Sequence, residues 1–282
     1  MKRFLSTLCI TIALVMLAVP ALAKDKIKIA YVEWDCSAAT TNLAKAVLEQ
    51  EMGYEVEILP VAAAAMWQAV GTGDVDAMVS AWLPVTHEGY FKRVADKVEN
   101  LGPVATGAKL GWAVPKYVTI NSIEEMNANA DKFDDRIIGI DPGAGLMAMS
   151  EKTMEAYNLD KFELMEGSGA TMTAALKDAI KNNKWVAVTA WSPHWMFGKW
   201  DLKYLADPKG TLGGEERIDK IVRKGLKEEK PEVYEFFKKF AWKSPEQLQM
   251  VMAWDQEKGS DRYENSLRFI KENKAQVEAW TK

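Results

Sequence analysis

The feature that most constrains this chain is a β-α-β-α-β order that occurs twice. Residues 27–32 read as a strand, 41–52 as a helix, 55–61 as a strand, 63–70 as a helix and 77–81 as a strand, the last set off by the glycine- and aspartate-rich turn 71–76. The order returns downstream. Strands are expected at 137–140, 162–165 and 186–190, with helices at 145–157 and 170–182 between them. A short strand at 202–205 ends at Asp207-Pro208, and the remainder reads as helices, with Pro231 and Pro245 at helix starts. Strands alternating with helices of this length build parallel, doubly wound sheets. The expected class is therefore α/β, in two lobes, each a mostly parallel sheet with flanking helices. Residues 111–115 read as the first crossing between lobes and 204–208 as the return. The lobes are then 24–110, completed by the C-terminal helices 208–282, and 111–207.

Residues 1–23 read as a signal peptide. Lys2 and Arg3 are basic, residues 4–17 are apolar apart from three hydroxyl side chains, and Ala21 and Ala23 occupy the small-residue positions before a cut. The run is short for a membrane span, no long apolar run follows it, and no Cys stands after the cut for lipid attachment. A periplasmic product beginning at Lys24 is expected. Losing two basic residues changes the formal net charge from −4 to −6, which argues against a nucleic-acid surface. Cys9 leaves with the segment, so Cys36 remains alone and a monomer has no internal disulfide.

Ligands of open parallel sheets bind beyond the carboxyl ends of the strands. Past the first strand stands Trp34, past the third Trp82 and then His87, past the strand at 137 the turn Asp141-Pro-Gly-Ala-Gly145-Leu146, and past the strand at 186 Trp191. Most of the eleven tryptophans must be packing residues. Strand-end placement separates Trp34, Trp82 and Trp191 from Trp67, Trp112, Trp185, Trp195, Trp200, Trp242, Trp254 and Trp280, which read as structural. Several indole faces around one space suit a weakly hydrated cation such as trimethylammonium, each desolvated contact contributing about 2 kcal/mol or less; a sugar could also stack there. The N–H groups of Gly145 and Leu146 at a helix start suit a carboxylate, although a plain strand-to-helix turn would also use glycine. His87 could add a hydrogen bond or simply pack.

Enzyme signatures are missing from the sequence. Glu166-Gly-Ser-Gly169 is not a nucleophile elbow, and there is no phosphate-binding loop or metalloprotease helix motif. With only His87 and His194, a histidine-rich metal site is ruled out. No cofactor is expected.

Four segments resemble one family: Tyr31-Val-Glu-Trp34, Ser80-Ala-Trp-Leu-Pro-Val-Thr-His87, Ile138-Gly-Ile-Asp-Pro-Gly-Ala-Gly-Leu146 and Thr189-Ala-Trp-Ser-Pro-His-Trp-Met-Phe197. They look like the glycine betaine substrate-binding proteins of osmoprotectant ABC importers. The resemblance implies the two-lobed periplasmic-binding-protein fold and no enzymatic activity. It implies a prism of Trp34, Trp82 and Trp191 around a quaternary ammonium, with the ligand carboxylate on the Gly145 and Leu146 amides and His87. It also implies a membrane permease with a cytoplasmic ATPase as partner; the protein itself is expected to be a monomer. Choline, carnitine, proline betaine and dimethylsulfoniopropionate also suit such a cage, and a sensor role is the alternative output. Cys36 has no role in the family pattern and reads as a small packing residue.

Overall fold

The structure is a computed structural model and describes residues 26–282; the expected signal peptide and its cut lie outside the described residues. The first half of the expected order is present as β1 (Ile27–Tyr31), α1 (Asp35–Gln50), β2 (Val56–Pro60), α2 (Ala63–Thr72) and β3 (Ala77–Leu83), followed by a short α3 (Glu88–Val94). β1 pairs in parallel with both β2 and β3. All seven residues of β3 are buried, as a strand covered on both faces requires. The second half repeats the pattern with β5 (Arg136–Ile138), α4 (Gly145–Ala156), β6 (Glu163–Met165), α5 (Gly169–Lys181) and β7 (Ala187–Ser192). Here β5 pairs in parallel with β6 and β7.

Two strands that the sequence reading does not contain join these halves. β4 (Val98–Pro115) is 18 residues long, and β9 (Glu215–Arg223) returns beside it. The sheet runs β2-β1-β3-β9-β4-β7-β5-β6, with β8 (Leu202–Tyr204) added on β4. The pairs of β9 with β3 and β4, and of β4 with β7 and β8, are antiparallel, so the sheet is parallel at each end and antiparallel where the chain crosses. The expected first crossing, 111–115, is the last part of β4, and Tyr204 at the start of the expected return pairs with Ala113 on that strand. The β4–β9 ladder slips register three times between Asn100 and Ala108. Gly102 and Gly107 there have positive φ, a conformation that costs glycine little.

After α6 (Met196–Lys199) and β9, the chain ends in α7 (Leu226–Glu229), α8 (Pro231–Lys239), α9 (Pro245–Trp254), α10 (Arg262–Glu272) and α11 (Lys274–Thr281). Pro231 and Pro245 occupy first-turn positions, where a missing N–H costs nothing. α9 and α10 pack on α1, so the C-terminal helices cover the first half. Phe236, Phe240, Phe269 and Trp280 form a continuous aromatic layer beneath them.

Candidate functional site

The carboxyl ends of β1 and β3 in one half face those of β5 and β7 in the other. Trp34, Trp82, His87, Gly145, Leu146 and Trp191 all line one cavity of about 300 Å³ between them, with Cys36, Thr86 and Leu110 in the same wall. Each position follows from local structure. Trp34 is the residue before α1, Trp82 the penultimate residue of β3, and Trp191 the penultimate residue of β7. The three indoles are nearly buried and present apolar faces. None of the lining residues carries a formal charge.

His87 has a defined chemical state. The Trp82 N–H donates to His87 Nδ1 at 3.1 Å, and the His87 N–H donates back to the Trp82 carbonyl at 2.8 Å. This closes the loop Leu83–Thr86 and leaves the ring proton on Nε2. Nε2 is buried with no hydrogen-bond partner among the described residues. Burial pushes the imidazole down to about 3, so the ring is neutral and offers one N–H donor. Trp34 lies 5.9 Å away in a tilted arrangement, and Trp67, outside the cavity lining, packs edge-on against the same ring. Trp67 therefore backs the site, a role that strand-end reasoning does not reach.

Gly145 and Leu146 are the first two residues of α4, so their N–H groups have no acceptor within the helix; the first intrahelical-type bond is Met147 N–H to Ala144 O. The need for glycine comes from across the cavity. A Cβ on Gly145 would lie 2.5 Å from the Thr86 carbonyl oxygen, so the opposite loop excludes a side chain. That loop is held in turn by Glu216 on β9. Its buried carboxylate accepts from the Thr86 N–H at 2.8 Å and the Val85 N–H at 3.2 Å, and burial raises its pKa in spite of those bonds.

Cys36 shares the cavity with His87. Burial, and then the nearby Asp35 charge, push the thiol up to about 12. A thiol held protonated beside a neutral imidazole is not an activated nucleophile. The other histidine, His194, is fully buried, packs edge-on against Trp191 and accepts the Met196 N–H on Nδ1. Trp195, outside the cavity lining, donates its indole N–H to Asp35 in the other half at 2.8 Å. The sequence signal for it was internal: Val79-Ser-Ala-Trp-Leu-Pro84 and Val188-Thr-Ala-Trp-Ser-Pro193 are near repeats, so the residues after each are equivalent in place.

A cavity shared by two sheet halves, walled by indoles and backbone amides and holding no activated nucleophile, defines a two-lobed solute-binding protein. Residues 25–272 match the family described as "OpuAC: Substrate binding domain of ABC-type glycine betaine transport system", and the chain belongs to that family. It is a family of transport substrate-binding proteins, not enzymes. Among curated relatives, the chain is 41% identical over 147 residues to the glycine betaine/carnitine transport binding protein GbuC of Listeria monocytogenes, covering 51% of this chain and 48% of that one. It is 26% identical over 171 residues to the glycine betaine/proline betaine-binding periplasmic protein of Salmonella typhimurium, covering 54% and 51%. The chain thus spans about half the length of these relatives. Among solved structures, lactococcal OpuAC, closed and complexed with glycine betaine, superposes with a TM-score of 0.86 at 44% identity, over 92% of this chain and 100% of that one. ProX from Borrelia burgdorferi superposes with a TM-score of 0.88 at 36% identity, over 92% and 97%. An ABC-transporter choline binding protein in complex with choline follows at 0.83 and 25% identity, over 90% and 91%. No helix among the described residues is long and apolar enough to cross a membrane.

Proposed function

We propose that this chain captures glycine betaine, or a closely related carboxylated quaternary ammonium, between its two lobes and delivers it to the permease of an ABC importer. The single observation that carries the reading is the polarity of the cavity. Three indole faces line it with no formal charge, and the same cavity receives two classes of N–H donor: His87 Nε2 and the α4 amides of Gly145 and Leu146. A trimethylammonium group is held by indole faces without losing hydrogen bonds, because it has none to lose. A carboxylate is held by N–H donors at a helix start. Trp34, Trp82 and His87 belong to a first lobe of residues 24–110 with the helices of 208–282, and Gly145, Leu146 and Trp191 to a second lobe of 111–207. Ligand contacts are completed when the lobes meet, a hinge closure about the β4–β9 crossing. The protein works as a periplasmic monomer after removal of residues 1–23, and its closed form is what the permease receives.

Choline is the second reading, favoured by the similarity to the choline-binding structure. Choline has no carboxylate, and its one neutral hydroxyl cannot meet His87 and both α4 amides together, a buried loss of about 1–3 kcal/mol for each polar group left unmet. Titration of the protein with each ligand, following tryptophan fluorescence, separates the two. Saturable binding of glycine betaine with little response to choline supports the carboxylated ligand. Choline binding alone would remove the roles given to His87 and Gly145.

A further inference from the structure

Two hydrogen bonds outside the cavity join the halves in opposite directions. Trp34 Nε1, in the first half, donates to Asp141 Oδ2 in the second at 2.8 Å. Trp195 Nε1, in the second half, donates to Asp35 Oδ2 in the first, also at 2.8 Å. Trp34 and Asp35 are adjacent at the start of α1, so this dipeptide offers one donor and one acceptor to the other half. Asp141 follows β5 and Trp195 follows β7, the two strands whose ends face α1. His194 Nε2 lies 3.4 Å from Asp35, and Arg262 of α10 lies 3.8 Å from its other oxygen, so charge and donors converge on Asp35. Burial alone would raise the Asp35 carboxyl, but His194, Trp195 and Arg262 together hold it below its ordinary value.

We propose that Asp141 and Asp35 are positioning residues that form a reciprocal indole–carboxylate latch across the cleft. Asp141 fixes the edge of the Trp34 ring from the opposite half, and so aims its face into the cavity only when the halves are together. Cation–π attraction depends on that aim, and a terminal ring torsion is otherwise broad. Asp35 closes the second bond of the pair without touching the cavity. Both bonds break when the cleft opens, so their strength acts on the lifetime of the closed state and not on encounter.

The inference rests on the aromatic-cage reading above, and the experiment separates the two. Rapid-mixing fluorescence with glycine betaine is compared for wild type, Asp141→Ala, Asp35→Ala and Asp141→Asn. Each alanine variant is expected to raise the dissociation rate constant about tenfold or more, the size of a lost charge-assisted hydrogen bond, with the association rate constant changed less than about twofold. Asp141→Asn keeps an acceptor oxygen and is expected to recover most of the loss. Melting temperatures without ligand should stay level for the Asp141 variants, whereas Asp35→Ala also loses Arg262 and Gln256 of its own half and is expected to melt lower. Unchanged dissociation, or a loss confined to association, overturns the latch. If wild type fails to bind glycine betaine, the cage reading falls. Small-angle scattering without ligand then tests the latch by itself: larger radii of gyration for the alanine variants support it, and radii equal to wild type overturn it.

Discussion

At the scale of single residues, His87 is the most informative side chain. Its Nδ1 is occupied by the Trp82 N–H and its Nε2 is free. Replacing it by alanine is expected to weaken glycine betaine about tenfold or more while changing choline affinity less than about threefold, because only the first ligand offers a charged carboxylate acceptor. Trp191→Ala is expected to weaken both ligands by a similar factor, since the indole reads only the cation. Side-by-side titrations check the contrast, and equal loss in the His87 variant would sink its assignment. The same residue sets a pH dependence. Its pKa falls from an ordinary 6.5 to about 3 on folding, so between those values the unfolded chain binds the extra proton. Stability is full above about pH 6.5 and declines as pH falls toward 3, by up to about 1.4 kcal/mol per pH unit from this group. Urea unfolding of wild type and His87→Gln from pH 7 to 4 measures it; parallel curves would refute the buried neutral state. Strand-end reasoning singled out Trp34, Trp82, Trp191, His87, Gly145 and Leu146, and all six line one cavity, Trp82 and Trp191 as the penultimate residues of their strands. The pairings of Trp34 with Asp141 and of Trp195 with Asp35 were not legible, because the partners lie more than a hundred residues apart.

At the scale of elements, the alternating strands and helices were legible and the crossing strands were not. β4 contains Gly102, Pro103 and Gly107, which read as a loop until the bulged ladder with β9 is seen. β9 reads Glu-Glu-Arg-Ile-Asp-Lys-Ile-Val-Arg, a charge density typical of an exposed helix. Yet Glu216, Asp219 and Lys220 are buried. Lys220 donates to the Pro103 carbonyl at 3.0 Å and the Phe240 carbonyl at 2.9 Å, with burial bringing its ammonium down to about 8. Asp219 accepts from Asn100 at 2.8 Å. Polarity there is tertiary, and no local pattern reveals it. Glu216 gives this strand a consequence at the site. It holds the Val85 and Thr86 amides, and hence the loop between Trp82 and His87. Glu216→Leu is expected to lower glycine betaine affinity about tenfold and to cost about 1–3 kcal/mol of stability through two unmet amides. Glu216→Gln keeps an acceptor and is expected to retain most of both. Titration and denaturant unfolding of the two variants check this, and a leucine variant that binds normally would free the loop from the strand.

At the scale of the whole molecule, the sheet is one continuous structure, and its two halves share a cavity lined by residues at or after the ends of their strands. Its halves are joined by the β4–β9 ladder behind that cavity, and in front by indole–carboxylate bonds, the Tyr90 to Gly143 carbonyl hydrogen bond at 3.0 Å and the close approach of Thr86 to Gly145. A contact set with so few bonds in front and a bulged ladder behind can separate without unfolding either half. Ligand in the cavity adds contacts to both halves at once, so it must favour the closed arrangement by its differential affinity for it. Glycine betaine is therefore expected to shrink the radius of gyration on small-angle scattering and to raise the melting temperature together. At a hundredfold excess over its dissociation constant the stabilisation is about 2.7 kcal/mol, a shift on the order of 5–10 °C for a chain of this size. A rise in melting temperature without any change in radius would mean that ligand binds one half alone. Because Trp34 and Trp82 lie on one side and Trp191 on the other, that outcome would contradict a shared cage.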